Sequence, residues 1–249
     1  MSVPALTVSG LHYTYPDGNA AVLGADLTVE SRQRVAVLGP NGAGKTTLAL
    51  LFNGVLVPDR GRVEVHGIPV ERKNLAQVRS RVGIVFQDPD DQLFMPTVFE
   101  DVAFGPLNQG FRGAELQTRV DAALAAVGME AFGDRPPHHL SFGQRRRVAI
   151  ATVLAMRPEV LIFDEPTSNL DPASRKELST ILWGLDMTMV LITHDLPYAL
   201  QMCPRAVIMN SGVIVADGRT EELLADPDLL IANRLELPYG FSLSATWSG

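Results

Sequence analysis

A single cysteine, Cys203, stands in 249 residues. No internal disulfide can form, and the scarcity fits a reducing compartment. Positive charge is scarce too: 21 Lys and Arg face 28 Asp and Glu, for a net charge of −7. Non-specific binding to DNA or RNA draws on counterion release at a basic face, so an acidic chain is a poor candidate for it. Long apolar runs are missing, and no stretch approaches the ~18 residues that a membrane-spanning helix needs. The opening MSVPALTVSGLHYTYPDG has no basic segment followed by an apolar core, so no secretory leader is expected. Internal repeats, low-complexity tracts and flexible linkers are also wanting. A cytoplasmic protein is expected, and any work at a membrane would need a partner that does the spanning.

Hydrophobic residues make up 46% of the chain, enough to build one large α/β domain or two small ones around an ample core. ALTVSGLHYTY and AVLGADLTVE alternate apolar and polar residues around the turn PDGN, which predicts two strands. RVAVLG (34–39) is a short apolar strand that runs into a glycine-rich turn and then a helix, KTTLALLFNGV. GRVEVHG and VGIVFQ return as strands. From about 95 to 155 the pattern is helical, with Gly128 as a C-terminal stop after AELQTRVDAALAAVGM and Pro158 after QRRRVAIATVLAM. EVLIFDEP, DPASRKELSTILWGL, TMVLITHD and RAVIMNSGVIVADG then read as strand, helix, strand and hairpin. Strands alternating with helices imply a mainly parallel sheet, and the helical stretch is a lobe inserted between its two halves.

GPNGAGKTT (39–47) matches G-x-x-x-x-G-K-[ST] between a strand and a helix, where a phosphate-binding loop belongs. Glycines let backbone N–H groups turn toward phosphate oxygens, and the helix start adds partial positive charge. In such a loop Lys45 reaches the outer phosphates and the Thr46 hydroxyl ligates Mg²⁺. VLIFDEP puts Asp164 at the end of an apolar strand, with Glu165 next. The aspartate can hold Mg²⁺ through its water shell, and the glutamate can polarise an attacking water. LSFGQRRR (140–147) opens another helix with Ser141 and Gly143, a second start suited to phosphate. One nucleotide already has its loop at 39–47, so two half-sites completed by a second subunit are expected.

Phosphate loop, glutamine after a strand, LSFGQ, acidic pair, SNLD, and a histidine after the next strand occur in that order. In this the chain resembles the ATPase subunits of ATP-binding-cassette transporters, from about residue 5 to 225. The resemblance implies an α/β P-loop NTPase fold of the ABC type. It has a mainly parallel core of RecA-like type, an antiparallel N-terminal β part and an inserted α-helical lobe. One ATPase domain over 1–235, the lobe at about 88–157 and a tail at 236–249 are expected. It implies binding of ATP by Gly39, Pro40, Asn41, Gly42, Ala43, Gly44, Lys45, Thr46 and Thr47, with Tyr15 stacking on adenine. Mg²⁺ falls to Thr46, Gln87 and Asp164, partly through water. Glu165 becomes the general base, Gln87 and His194 the γ-phosphate contacts, and Asp171 a residue of the loop that crosses the dimer. Ser141, Phe142, Gly143 and Gln144 cap the partner's ATP. The pattern departs at Phe142, where the family has glycine, which leaves close approach at that residue open.

FQDPDDQLF (86–94) is the join between sheet and lobe. It resembles the energy-coupling-factor branch, in which this join borders the groove for a helix of the membrane subunit. Cytoplasmic segments of membrane proteins are rich in Lys and Arg, so Asp88, Asp90 and Asp91 would attract one. Gln92 belongs to the same coupling surface, and Phe86, Leu93 and Phe94 would anchor it. A plainer reading has Asp88 and Asp90 capping the next helix, with Phe86 and Phe94 in the core. The stretch 140–172 looks most like the cobalt or nickel import ATPases; a shared vitamin-uptake module, for biotin for example, is the alternative. The implied partners are integral energy-coupling and substrate-binding subunits and a second ATPase copy, with no nucleic acid. The implied location is peripheral, on the cytoplasmic face of the membrane.

Competing readings fit less well. A chromosome-organising ATPase would split its motifs with a long coiled coil, yet Thr46 and Ser141 are 95 residues apart. His138 and His139 have no further ligands at metal-site spacing. The arginines 145–147 read as a solvated or dimer-facing helix start. In the tail, Leu and Tyr side chains would pack on the dimer partner or fray.

Overall fold

The computed structural model describes residues 3–242. β1 (Leu6–Thr14) and β2 (Ala20–Val29) pair antiparallel around the turn at 15–19. β3 (Arg34–Leu38) leads through the phosphate-loop motif into α1 (Lys45–Phe52). β4 (Arg60–Val65), β5 (Ile68–Pro69) and α2 (Leu75–Arg81) precede β6 (Val82–Val85). Three helices come next: α3 (Val98–Asn108), α4 (Gly113–Ala126) and α5 (Phe142–Leu154). The chain re-enters the sheet with β7 (Val160–Asp164), α6 (Pro172–Trp183) and β8 (Thr188–Ile192). It closes with α7 (Leu196–Met202), β9 (Arg205–Asn210), β10 (Val213–Arg219), α8 (Thr220–Leu224) and α9 (Pro227–Ala232).

Two sheets result. One is antiparallel in the order β2-β1-β4-β5; the other runs β10-β9-β3-β8-β7-β6 and is parallel throughout except for β10. Successive side chains on a strand face opposite ways, and both faces of the parallel sheet are covered. Val35 and Val37, Val160 and Ile162, Val190 and Ile192 pack with the antiparallel sheet and α1. Ala36 and Leu38, Leu161 and Phe163, Met189 and Leu191 pack with the helices on the other side. That double burial is why these strands read as unbroken apolar runs.

The helical lobe is seated on the sheet through Gly83. A Cβ there would come within 2.0 Å of Val153 Cγ1 of α5, so glycine is what lets α5 lie against β6. Gly128, at φ 64°, stops α4 as expected. α1 ends at Phe52, before the residues that continued its pattern in sequence. The sequence pattern did not announce α2: it buries only Val78 and so has no apolar stripe. Leu235, just before the tail, is buried; in the tail Leu237 packs on the core and Tyr239 is exposed, and residues 243–249 lie outside the described residues. Among the described residues no helix is long and apolar enough to cross a membrane.

Candidate nucleotide site

The phosphate loop hangs from the end of β3, and its shape depends on two glycines. At Gly44, φ is 98° and a Cβ would sit 2.1 Å from the Ala21 carbonyl oxygen; at Gly39 a Cβ would sit 2.1 Å from that of Met209. Lys45 is buried and donates from Nζ to the carbonyls of Gly39 (2.7 Å) and Pro40 (2.9 Å). Burial lowers its pKa, and the carboxylates of Glu165 and Asp164 pull the other way. Tyr15 lies at the loop's edge, its hydroxyl 3.0 Å from Thr47 Oγ1 and its ring edge-on to Tyr13.

The end of β7 meets the loop directly. Thr46 Oγ1 donates to Asp164 Oδ2 at 2.8 Å. Asp164 is buried, and its Oδ1 has no hydrogen-bond partner. Burial raises the pKa of this carboxyl, against the hydrogen bond from Thr46. An orphaned carboxylate oxygen beside a threonine hydroxyl is a donor set for a hard divalent cation, which takes oxygen ligands.

Glu165 follows in the left-handed region at φ 46°. Its Oε1 accepts from the backbone N–H of His194 at 3.0 Å and lies 2.8 Å from His194 Nδ1. Its Oε2 accepts from the hydroxyl of Thr193 at 3.1 Å, and that oxygen in turn accepts from the N–H of Asp195. The turn after β8 therefore holds the whole carboxylate. Thr193, fully buried, escaped the sequence reading because its partner is 28 residues away. Asp195 pairs with Arg175 at 2.6 Å and links this turn to α6. The start of α6 is capped by Asp171, which accepts from the N–H groups of Ala173 and Ser174 and, at 2.6 Å, from the Ser174 hydroxyl. The Ser174 hydroxyl is the main reason the Asp171 carboxyl titrates below its ordinary value.

Ser141 caps α5 through a reciprocal pair of bonds with Gln144. Gly143 has no room for a side chain, because a Cβ would come within 2.7 Å of Ser174 Oγ. Position 142 differs: the Phe142 ring is half-buried and lies 5.8 and 5.5 Å from the guanidinium carbons of Arg145 and Arg146. The tight contact at Gly143 is thus with α6 of the same chain, and Phe142 packs by its arginine neighbours.

The 86–94 stretch follows the plainer reading except at Phe94. Asp88 accepts from the N–H of Asp90, capping a single turn at Pro89–Asp91. Asp90 pairs with Arg145 at 2.9 Å, while Asp91 is exposed. Leu93 is buried and Phe86 packs on the core, but Phe94 is 64% exposed and stacks edge-on with Phe104. Gln92 departs from the expected surface contact. Its amide donates to Ala149 O and Thr152 Oγ1, both at 2.7 Å, and accepts from the N–H of Phe86. The arginine run is likewise no solvated face: Arg146 is 0% exposed and bonds the carbonyls of Phe86 and Gln87. Asp90, Leu93, Phe94, Met95, Pro137, His138 and Arg145 line one groove of about 340 Å³.

Comparison with known proteins agrees with this geometry. A family profile described as "ABC transporter" matches residues 22–168. A protein of Streptomyces avermitilis, provisionally assigned as an ABC transporter ATP-binding protein, is 65% identical over 97% of this chain and 92% of its own length. The "Energy-coupling factor transporter ATP-binding protein EcfA" of Methanocaldococcus jannaschii is 47% identical, over 92% of this chain and 84% of its own. The structure of cbiO1 from Clostridium perfringens, described as part of the ABC transporter complex cbiONQ, superposes with a TM-score of 0.81. It is 40% identical, with 94% and 96% of the two chains covered. The chain belongs to the ABC transporter family, and it is an ATP-binding, ATP-hydrolysing subunit.

Proposed function

We propose that this chain energises an importer of the energy-coupling-factor type, with cobalt or nickel ions as cargo. The likeness to EcfA supports the branch, and the likeness to cbiO1, part of a cbiONQ complex, supports a dedicated importer. In this reading residues 1–235 are one ATPase domain with its helical lobe at about 88–157. The subunit works as one of a pair on the cytoplasmic face of the membrane, held there by integral energy-coupling and substrate-binding subunits.

The observation that carries the site is the Thr46–Asp164 hydrogen bond with the unpartnered Asp164 Oδ1 beside it. Residues 39–47 would hold the phosphates and Tyr15 the adenine. Thr46, Asp164 and Gln87 would hold Mg²⁺, which neutralises charge that builds on the phosphates. Glu165 then receives the proton of the attacking water, and His194 keeps that carboxylate oriented and faces the γ-phosphate. Ser141, Phe142, Gly143 and Gln144 serve the other subunit's ATP, and Asp171 lies in the loop between the two. The hydrogen bonds of Ser141 and Gln144 run to each other and leave the exposed helix start open to a second chain.

The groove beside Phe94 is where a basic, aromatic-seeking helix of the membrane subunit would dock, with Asp90 in its lining and Asp88 and Asp91 in the turn that carries Asp90. Uptake of cobalt, nickel and biotin by the intact complex in vesicles tests the cargo. ATP-dependent uptake of either metal supports the reading. Uptake of biotin alone replaces it with the vitamin module, and co-purification with no integral partner overturns the transport role.

A further inference from the structure

Among the described residues Arg146 is the one arginine that is wholly buried, and it stands among the largest fully buried side chains. A guanidinium leaves water at a cost that only directed partners offset. Its partners here are two backbone carbonyls of the turn after β6: Nη1 donates to Phe86 O at 2.7 Å and Nη2 donates to Gln87 O. The carboxylates of Asp88 and Asp164 favour its charge, against burial that lowers its pKa to about 10. Its helix, α5, is capped by Ser141, and Arg146 lies on that helix's second turn.

The same two segments are joined twice more. Asp90 pairs with Arg145, and Gln92 donates to Ala149 O and Thr152 Oγ1. The turn that carries Gln87 is thus fastened to the helix that carries Ser141 at residues 86, 87, 90 and 92.

We propose that Arg146 is a positioning residue for ATP hydrolysis. It pins the Gln87 backbone to the helix of Ser141, so that the contact to a subunit's own nucleotide and the contact to its partner's nucleotide move as one body. This rests on the roles given above to Gln87 and to residues 141–144. Interfaces and packed elements switch between discrete arrangements rather than bending continuously, and a rigid link of this kind makes the two half-sites engage together.

The test is a double-mutant cycle on the purified full chain, with Arg146→Lys, Gln87→Ala and the pair. Arg146→Lys keeps the charge and loses the two-carbonyl fork. It is expected to lower kcat about tenfold with KM for Mg-ATP changed less than about twofold, the size expected when one of the two charge-assisted bonds that place Gln87 is lost. In the Gln87→Ala background the same change is expected to lower kcat less than about twofold further, because coupled sites are non-additive. A full tenfold effect in that background, or an unchanged kcat in the single variant, overturns the proposal. An unchanged kcat in Gln87→Ala alone overturns the role of Gln87, and that of Arg146 with it. Hydrogen exchange of the wild-type protein serves if Arg146→Lys does not fold. Amides of 86–92 and 141–146 should open with one free energy and gain protection over the same range of Mg-ATP. Protection of one segment without the other overturns the link.

Discussion

Glu165 and His194 are joined twice, by the backbone N–H of His194 to Oε1 at 3.0 Å and by Nδ1 to the same oxygen at 2.8 Å. With Thr193 on the other oxygen, both oxygens of the carboxylate are held. A general base needs that fixed geometry first and its proton affinity second. Glu165→Gln keeps the shape and removes the base, so turnover should fall on the order of 10²- to 10⁴-fold while ATP still binds. Turnover within a factor of three of wild type would dismiss the role. Lys45→Ala should act earlier, by weakening ATP itself, and is read as loss of the nucleotide-induced rise in Tm.

Each nucleotide is proposed to lie between residues 39–47 of one chain and 141–144 of another. Specific ATPase activity should therefore rise with protein concentration when no membrane partner is present, and flatten once the pair is saturated. Sedimentation of the Glu165→Gln variant with ATP should show a dimer. Constant specific activity from nanomolar concentrations upward, in a chain that stays monomeric with ATP, would rule the shared site out.

The phosphate loop, Asp164 and Glu165 were legible in sequence because their chemistry is local: a fixed spacing between one strand and one helix carries it. The parallel core was legible for the same reason, since doubly buried strands are short apolar runs. Arg146 was not legible. In sequence it is the middle of three arginines, and solvated runs are the ordinary case. Its burial depends on Phe86 and Gln87, about 60 residues earlier. Gln92 misled in the same way, because its amide looks surface-bound until α5 is laid beside it. Thr193 and Asp101 act on backbone or carboxylate groups that only the fold brings near.

Asp101 offers a test of stability against pH. Its Oδ1 accepts from the N–H groups of Phe94 and Met95, both at 3.0 Å, while the buried Oδ2 has no partner. Burial raises its pKa above the ordinary 3.8, against those two bonds. The folded chain thus takes up this proton more readily than the unfolded one. The associated stability is present below the unfolded value and is lost as pH rises through the raised one. Asp101→Asn removes the titration but keeps an oxygen for the two amides. Its Tm relative to wild type should improve from about pH 4 to about pH 7. A flat difference, or one that runs the other way, would show that the carboxyl is not strained by its burial.

The acids at 88–91 and Gln87 should separate by mutation. Asp90 is partly engaged by Arg145, at 2.9 Å with side-chain exposures of 64% and 21%, whereas Asp91 is exposed and open to a basic partner. Asp90→Asn with Asp91→Asn removes charge and little volume. Exposed pairs are worth only ~0.2–1 kcal/mol each, so loss of the membrane partner should be modest and more pronounced at low salt. Hydrolysis by the isolated subunit should survive, because the bonds of Arg146 and Gln92 still join the turn to α5. Gln87→Ala should leave assembly intact and lower uptake per ATP hydrolysed. The measurement is co-purification of the membrane partner beside basal ATPase activity, for both variants at two salt concentrations. If the double Asn variant assembles normally but loses basal hydrolysis, the acids serve the nucleotide site through Arg145 and α5, and the groove beside Phe94 recruits its partner by apolar contact alone.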